Sequence, residues 1–221
     1  MQTIVFDLDG TLVHTAPDLV ETLNTILRSQ GVAAVSYEEA LRMVGHGAKR
    51  MLEYGLSAQN VQVPPPLFEK LYQDFLDYYA DHIADHSRPF PGVEDALDSL
   101  AADGWRLAVC TNKLEGLSLR LLDALNLRQR FAVICGQDTY GIAKPNPEVL
   151  LRTIADAGGD PQHAIMVGDS ITDISTAKAA HIPVIAVDFG YTDTPVSQLG
   201  PDRVISDYRE LAGAVASVRR V

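Results

Sequence analysis

Short apolar runs, "RLAVCT", "FAVICG", "AIMVGD", "IPVIAVD" and "RVISD", recur through the second half of this 221-residue chain. Each is apolar at consecutive positions and too short for an ordinary helix, the pattern of a strand buried on both faces. Helical stretches over 115–125, 148–157 and 171–180 separate several of them. Strand alternating with helix argues for a doubly wound, Rossmann-like parallel sheet with helices on both faces. A further strand-like run, "IVF", lies at the start of the chain in "IVFDLDGTLVHT".

Between that first strand and the rest lies a block of different rhythm. Pro17 suits the first turn of a helix whose Leu19, Leu23, Ile26 and Leu27 share one face, and Gly31 closes it. Ser36 with Glu39 forms a capping box for a second helix. The pattern breaks at Gly45 and Gly47 and resumes from Ala48 to Leu56. A last helix follows "VPPP" and carries Phe68, Leu71, Phe75 and Tyr79. "SRPFPGV" ends the block. The expected organisation is an α/β core from 1–15 plus 87–221, with a small α-helical cap inserted over 16–86.

Composition narrows the functional classes. With 29 acidic and 18 basic residues the net charge is −11, so the surface repels nucleic acid phosphates and anionic membranes. Neither nucleic acid nor membrane is an expected partner. A small anionic substrate held by a local cation is compatible with that charge. The two cysteines, Cys110 and Cys135, sit in apolar runs without metal or redox spacing and read as buried, reduced thiols. The N-terminal residues show neither a signal-peptide pattern nor a spanning apolar run, and the expected location is cytoplasmic.

The chemistry-bearing residues follow the strands. In open parallel sheets ligands bind beyond the carboxyl ends of the strands. Asp7 and Asp9 follow the first run, and Thr111 and Asn112 follow "RLAVC". Lys144 follows "FAVICG" after a short loop; Asp169, Ser170 and Asp173 follow "AIMVG". Asp7, Asp9 and Asp169 would repel one another unless a divalent cation lay among them, and hard oxygen ligands with room for water and phosphate suit Mg²⁺. The pair Thr111 and Asn112, with Lys144, would hold phosphate oxygens, while one aspartate attacks and another handles protons. "DLDGT" alone could open a calcium loop, but Leu12 stands where that loop needs glycine.

In this order the motifs resemble those of the haloacid dehalogenase superfamily along the whole chain: "DLDGT", Thr111, Lys144 with Pro145, and "GDSITD". The resemblance implies that Asp7 is the nucleophile and Asp9 the general acid and base. It implies Mg²⁺ on Asp7, the Asp9 main-chain carbonyl and Asp169, with Ser170 and Asp173 in support. An aspartate at position 9 matches the phosphatases and phosphomutases of that superfamily rather than its dehalogenases. "FDLDGTLVHTAPDL", "VGHGAKRML", "TNK", "GDSITDISTAKAA" and "FGY" look like its phosphoglycolate phosphatases, though His14 stands where those commonly carry aspartate. The implied substrate is a small phosphoester, with 2-phosphoglycolate first. Sugar phosphates, nucleotides, pyrophosphate or a phosphomutase reaction are the alternatives within the superfamily, and a non-catalytic binding protein lies outside it.

The cap is expected to exclude water and choose the substrate. "GHGAKR" between two cap helices makes His46 and either Lys49 or Arg50 candidates to read the leaving group, and Lys113 is a further candidate. His82 and His86 have a zinc-compatible spacing but no third ligand nearby in sequence. Either a monomer or a homodimer is compatible with these features.

Overall fold

The apolar runs pair in register, and that register decides where every polar residue after them ends up. The structure, a computed structural model, describes residues 1–45 and 47–219. It begins with β1 (Thr3–Phe6) and β2 (Val13–His14), followed by four helices: α1 (Ala16–Ser29), α2 (Tyr37–Leu41), α3 (Ala48–Ala58) and α4 (Pro65–Asp81). The chain continues through β3 (Arg88–Pro89), α5 (Val93–Ala102), β4 (Arg106–Cys110), α6 (Glu115–Ala124) and β5 (Val133–Cys135). It ends with α7 (Pro147–Asp156), β6 (Ala164–Gly168), α8 (Ile171–Ala179), β7 (Val184–Val187), β8 (Arg203–Ile205) and α9 (Leu211–Val218).

Six strands form one sheet in the order β5-β4-β1-β6-β7-β8, with every adjacent pair parallel. Successive residues point to opposite faces, and each face is packed. Ile4, Phe6, Leu107, Val109, Ile165 and Val167 join α5, α6 and α9 in one apolar cluster. Val5, Ala108, Cys110, Ala164 and Met166 join α7 and α8 in another. Burial on both sides explains why these runs read as continuously apolar rather than alternating.

The helices α1–α4 build a core of their own from Leu19, Leu23, Ile26 and Leu27 of α1, Met51 and Leu52 of α3, and Leu71, Phe75 and Tyr79 of α4. The Ser36–Glu39 capping box is formed in both directions at the start of α2. Two chain crossings join this helical layer to the sheet, and they pair as the antiparallel strands β2 and β3, His14 opposite Arg88. Asp18, in the first turn of α1, fastens the joint. Its buried carboxylate accepts hydrogen bonds from the His86 and Ser87 amides and from the Ser87 hydroxyl, at 2.6–3.1 Å.

No helix among the described residues is long and apolar enough to cross a membrane. Among the described residues, His82 and His86 belong to no group of three potential metal ligands. His82 Nδ1 contacts Asp85 at 2.7 Å and its ring stacks on Tyr78, while the amide of His86 is engaged by Asp18.

Replacing Asp18 strands several buried donors at once. Asp18→Ala is expected to lower the unfolding free energy by about 3 kcal/mol, and Ser87→Ala by about 1 kcal/mol. Urea unfolding of the two variants beside the wild type checks this order.

Candidate active site

Asp7 leaves β1 one residue after Phe6, which pairs with Val109 of β4 on one side and Val167 of β6 on the other. The Asp7 amide still donates to the Val167 carbonyl at 2.9 Å, and the Thr111 amide donates to Cys135 at 3.0 Å. Three neighbouring strands thus end level, and their next residues crowd one spot at the carboxyl edge. Asp7, Asp169 and Asp173 each place a buried carboxylate oxygen within 4.8 Å of the others. Lys144 Nζ enters this group, 2.8 Å from Asp7 Oδ1 and 2.6 Å from Asp173 Oδ1.

Each carboxylate is oriented by a different device. Asp173 Oδ2 accepts from the amides of Asp169 and Ser170 and from the Ser170 hydroxyl, at 2.7–3.2 Å, so a capping box of α8 also aims the carboxylate. Asp169 accepts from Thr11 Oγ1 at 3.0 Å and from the Tyr191 amide at 2.7 Å. Two glycines make room for it: Gly10, at φ +81°, and Gly190, where a β-carbon would collide with the Asp169 side chain in either case. Asp7 Oδ1 is buried with its ion-pair contact to Lys144 and no aligned hydrogen bond.

The electrostatics follow from this crowding. Burial, followed by the charge on Asp173 and against the pull of Lys144, pushes Asp7 from the ordinary 3.8 up to about 7. Burial and the neighbouring Asp173 and Asp7 raise Asp169 well above the carboxylate range. Burial alone would lower Lys144, but Asp173 and Asp7 outweigh it and hold the ammonium charged. Counting Asp9 and its partner Lys113, four buried carboxylates share the region with two buried ammonium groups. With all four ionised, two negative charges on hard oxygens would be left over, a surplus that fits one divalent cation.

Asp9 stands apart from that cluster. Its carboxylate binds Lys113 Nζ at 3.0 and 3.2 Å, and both line a cleft between the sheet edge and the helical layer. Thr111 is buried beside them and its hydroxyl accepts from the Lys113 amide at 3.2 Å. The Asn112 side chain, beside Thr111 at the same edge, is already engaged within the protein. Its side-chain amide donates to the Lys144 carbonyl and accepts from the Lys144 amide, at 3.1 and 2.9 Å. That two-point clamp holds the Lys144 loop in place and occupies the amide.

Of the cap candidates, His46 lies outside the described residues. Lys49 and Arg50 are not brought to the cleft. Lys49 Nζ pairs with Glu69 at 3.0 Å and Arg50 with Glu53 at 3.4 Å, both on the outer surface, where the cations remain hydrated. Gly47 does approach the sheet edge: a β-carbon there, at φ +90°, would lie 3.6 Å from the Asn112 carbonyl.

Comparison with known proteins agrees with this geometry. The family described as haloacid dehalogenase-like hydrolase matches residues 4–187. A phosphoglycolate phosphatase of Mesorhizobium japonicum is 49% identical over 213 residues, covering 96% of this chain and 94% of that protein. One of Agrobacterium fabrum is 44% identical over 96% of this chain and 91% of its own length. A crystal structure of a predicted phosphoglycolate phosphatase from Haemophilus somnus superposes with a TM-score of 0.91 at 28% identity, covering 97% of each chain. The family match and these phosphatase relatives, similar over nearly the whole chain, place the molecule among phosphoric monoester hydrolases. The chain belongs to the haloacid dehalogenase-like hydrolase family.

Because native Asp7 retains its proton to about 7 while the unfolded chain releases it near 3.8, the chelated protein is expected to lose stability as pH rises between those values. A divalent cation replaces those protons, so the rise in melting temperature it produces should grow with pH and be much reduced in Asp169→Asn. Thermal melts at pH 5 and pH 8, with chelator and with metal, measure both effects.

Proposed function

We propose that this enzyme is a Mg²⁺-dependent phosphomonoesterase that works through an aspartyl-phosphate and hydrolyses 2-phosphoglycolate to glycolate and phosphate. The observation that carries the reading is the division of labour between two aspartates on one turn. Asp7 lies in the carboxylate–lysine cluster, and Asp9 faces the cleft. The choice of substrate is supported by the names of the similar proteins from Mesorhizobium japonicum and Agrobacterium fabrum. The helices over 16–86 serve as the cap, and residues 1–15 with 87–221 as the catalytic core.

Asp7 and Asp169 would hold the Mg²⁺ together with the Asp9 main-chain carbonyl, with Ser170 and Asp173 steadying Asp169 and Lys144. When bound, Mg²⁺ supplies positive charge that lets a phosphate dianion approach a carboxylate nucleophile. An Asp7 carboxylate oxygen attacks phosphorus, and the bond from phosphorus to the leaving oxygen breaks. Asp9 gives that oxygen its proton, releasing the alcohol. Thr111 and Lys144 hold the phosphoryl oxygens as charge shifts onto them. Water then attacks phosphorus of the aspartyl-phosphate, Asp9 takes its proton, and phosphate leaves with Asp7 restored. Helices packed over the cleft keep bulk water away from the phosphorylated aspartate.

Phosphate release measured over a panel of small phosphoesters tests this reading. The expected result is turnover only with Mg²⁺, with the largest kcat/KM on 2-phosphoglycolate; a flat profile would count against the substrate. Asp7→Asn is expected to lower kcat by at least about 10⁴-fold while leaving the circular dichroism spectrum unchanged.

A further inference from the structure

The proposed catalytic scheme leaves Lys113 without a role, and its placement is unusual. It is 7% exposed, follows the Thr111–Asn112 pair at the sheet edge, and projects into the cleft that also holds Asp9. Long cations are rarely buried without a purpose, because desolvating an ammonium costs several kcal/mol. Among the described residues lining the cleft Lys113 is the one positively charged side chain, since Lys49 and Arg50 face surface acids elsewhere.

The surroundings of the ammonium leave capacity for another anion. A lysine has three N–H donors. Those of Lys113 reach Asp9 Oδ1 and Oδ2 at 3.0 and 3.2 Å, and the nitrogen lies 4.5 Å from the centre of the Tyr79 ring. Tyr79 projects from α4 into the same cleft, 1% exposed, and its O–H has no acceptor, since the Lys113 ammonium beside it is a donor only. A buried hydroxyl left unpaired costs free energy that a ligand acceptor would recover. Leu19, Met51 and Leu76 supply apolar walls around these two donors.

We infer that Lys113 and the Tyr79 hydroxyl form a receptor for a carboxylate on the leaving group, which makes short phosphorylated hydroxy acids the substrate class. The inference rests on the phosphatase reading above and adds the residues that would select its substrate. Asp9, which must reach the leaving oxygen, is in direct contact with Lys113. A carboxylate bound at Lys113 is therefore held close to the ester oxygen, and a two-carbon acid is the simplest leaving group that spans so short a gap. Apolar walls with one cation discriminate against neutral alcohols of the same size, because an uncharged group would leave the receptor unpaired.

The test compares 2-phosphoglycolate with 2-hydroxyethyl phosphate, which has nearly the same shape and no carboxylate. Lys113→Met is expected to lower kcat/KM for 2-phosphoglycolate by about 10- to 100-fold, the worth of a charge-assisted hydrogen bond. The loss on 2-phosphoglycolate should fall mainly on KM and exceed the loss on the neutral ester by about 10-fold, since removing the ion-pair partner of Asp9 affects both esters alike. Lys113→Arg should recover part of the preference, and Tyr79→Phe, which keeps the ring and so the packing, should lose about 3- to 10-fold on 2-phosphoglycolate alone. An equal loss on both esters would show that Lys113 only positions Asp9 and would overturn the receptor while leaving the phosphatase reading intact. Unchanged preference in both Lys113→Met and Tyr79→Phe would overturn it as well. A wild type that turns over both esters equally would overturn the phosphoglycolate reading and the receptor together.

Discussion

Lys144 Nζ sits between Asp7 and Asp173, and the active centre depends on that bridge. Three carboxylates with oxygens within 4.8 Å repel by roughly 3 kcal/mol per pair at an effective dielectric near 20. Two contacts of 2.8 and 2.6 Å to an ammonium each return roughly 6 kcal/mol on the same scale. Attraction therefore offsets repulsion, but not the added cost of taking four charges out of water. Backbone amides make up part of the remainder: those of Asp169, Ser170 and Tyr191 all donate to carboxylates of the cluster. The surplus negative charge that persists is what a divalent cation is suited to neutralise, and binding strength toward the metal follows from the discomfort of the site without it.

The sheet supplies the precision such an arrangement needs. Strands packed on both faces cannot slip by one residue without turning each apolar side chain to the other cluster, so their ends are fixed relative to one another. Asp7, Thr111 and Asp169 inherit their spacing from this constraint. Side chains from far along the chain then complete the geometry, as when Tyr191 and Thr11 grip Asp169 from either side.

Much of this was legible in the residues themselves. The alternation of apolar runs with helical stretches gave the sheet and its helices, because burial on both faces leaves a pattern that needs no partner to be read. The strand ends likewise marked Asp7, Thr111, Lys144 and Asp169, since a parallel sheet sends all such residues to one edge. Contacts between distant segments were not legible. Asp18 looks like an ordinary first-turn acid until Ser87, 69 positions later, is placed against it. Asn112 looked like a phosphate ligand, and only the path of the Lys144 loop shows its amide already engaged. Lys49 and Arg50 had the right charge in the right loop, but a single turn of helix decides whether a side chain faces a cleft or the solvent, and Glu69 and Glu53 draw these two outward.

The joint between the helical layer and the sheet has a mechanical meaning. Two separate linkers would allow the layer to slide, tilt or twist independently. Here the crossings are paired as β2 and β3 and tied by Asp18, so the two linkers form a single joint. Tyr191 anchors that joint to the centre, its hydroxyl on the Ala16 amide and His14 while its own amide holds Asp169. Asp7 and Asp169 lie on the sheet side of that joint and Tyr79 on the helical side, so any swing about it would alter the distance from Tyr79 to Lys113 and leave the spacing of the two aspartates alone.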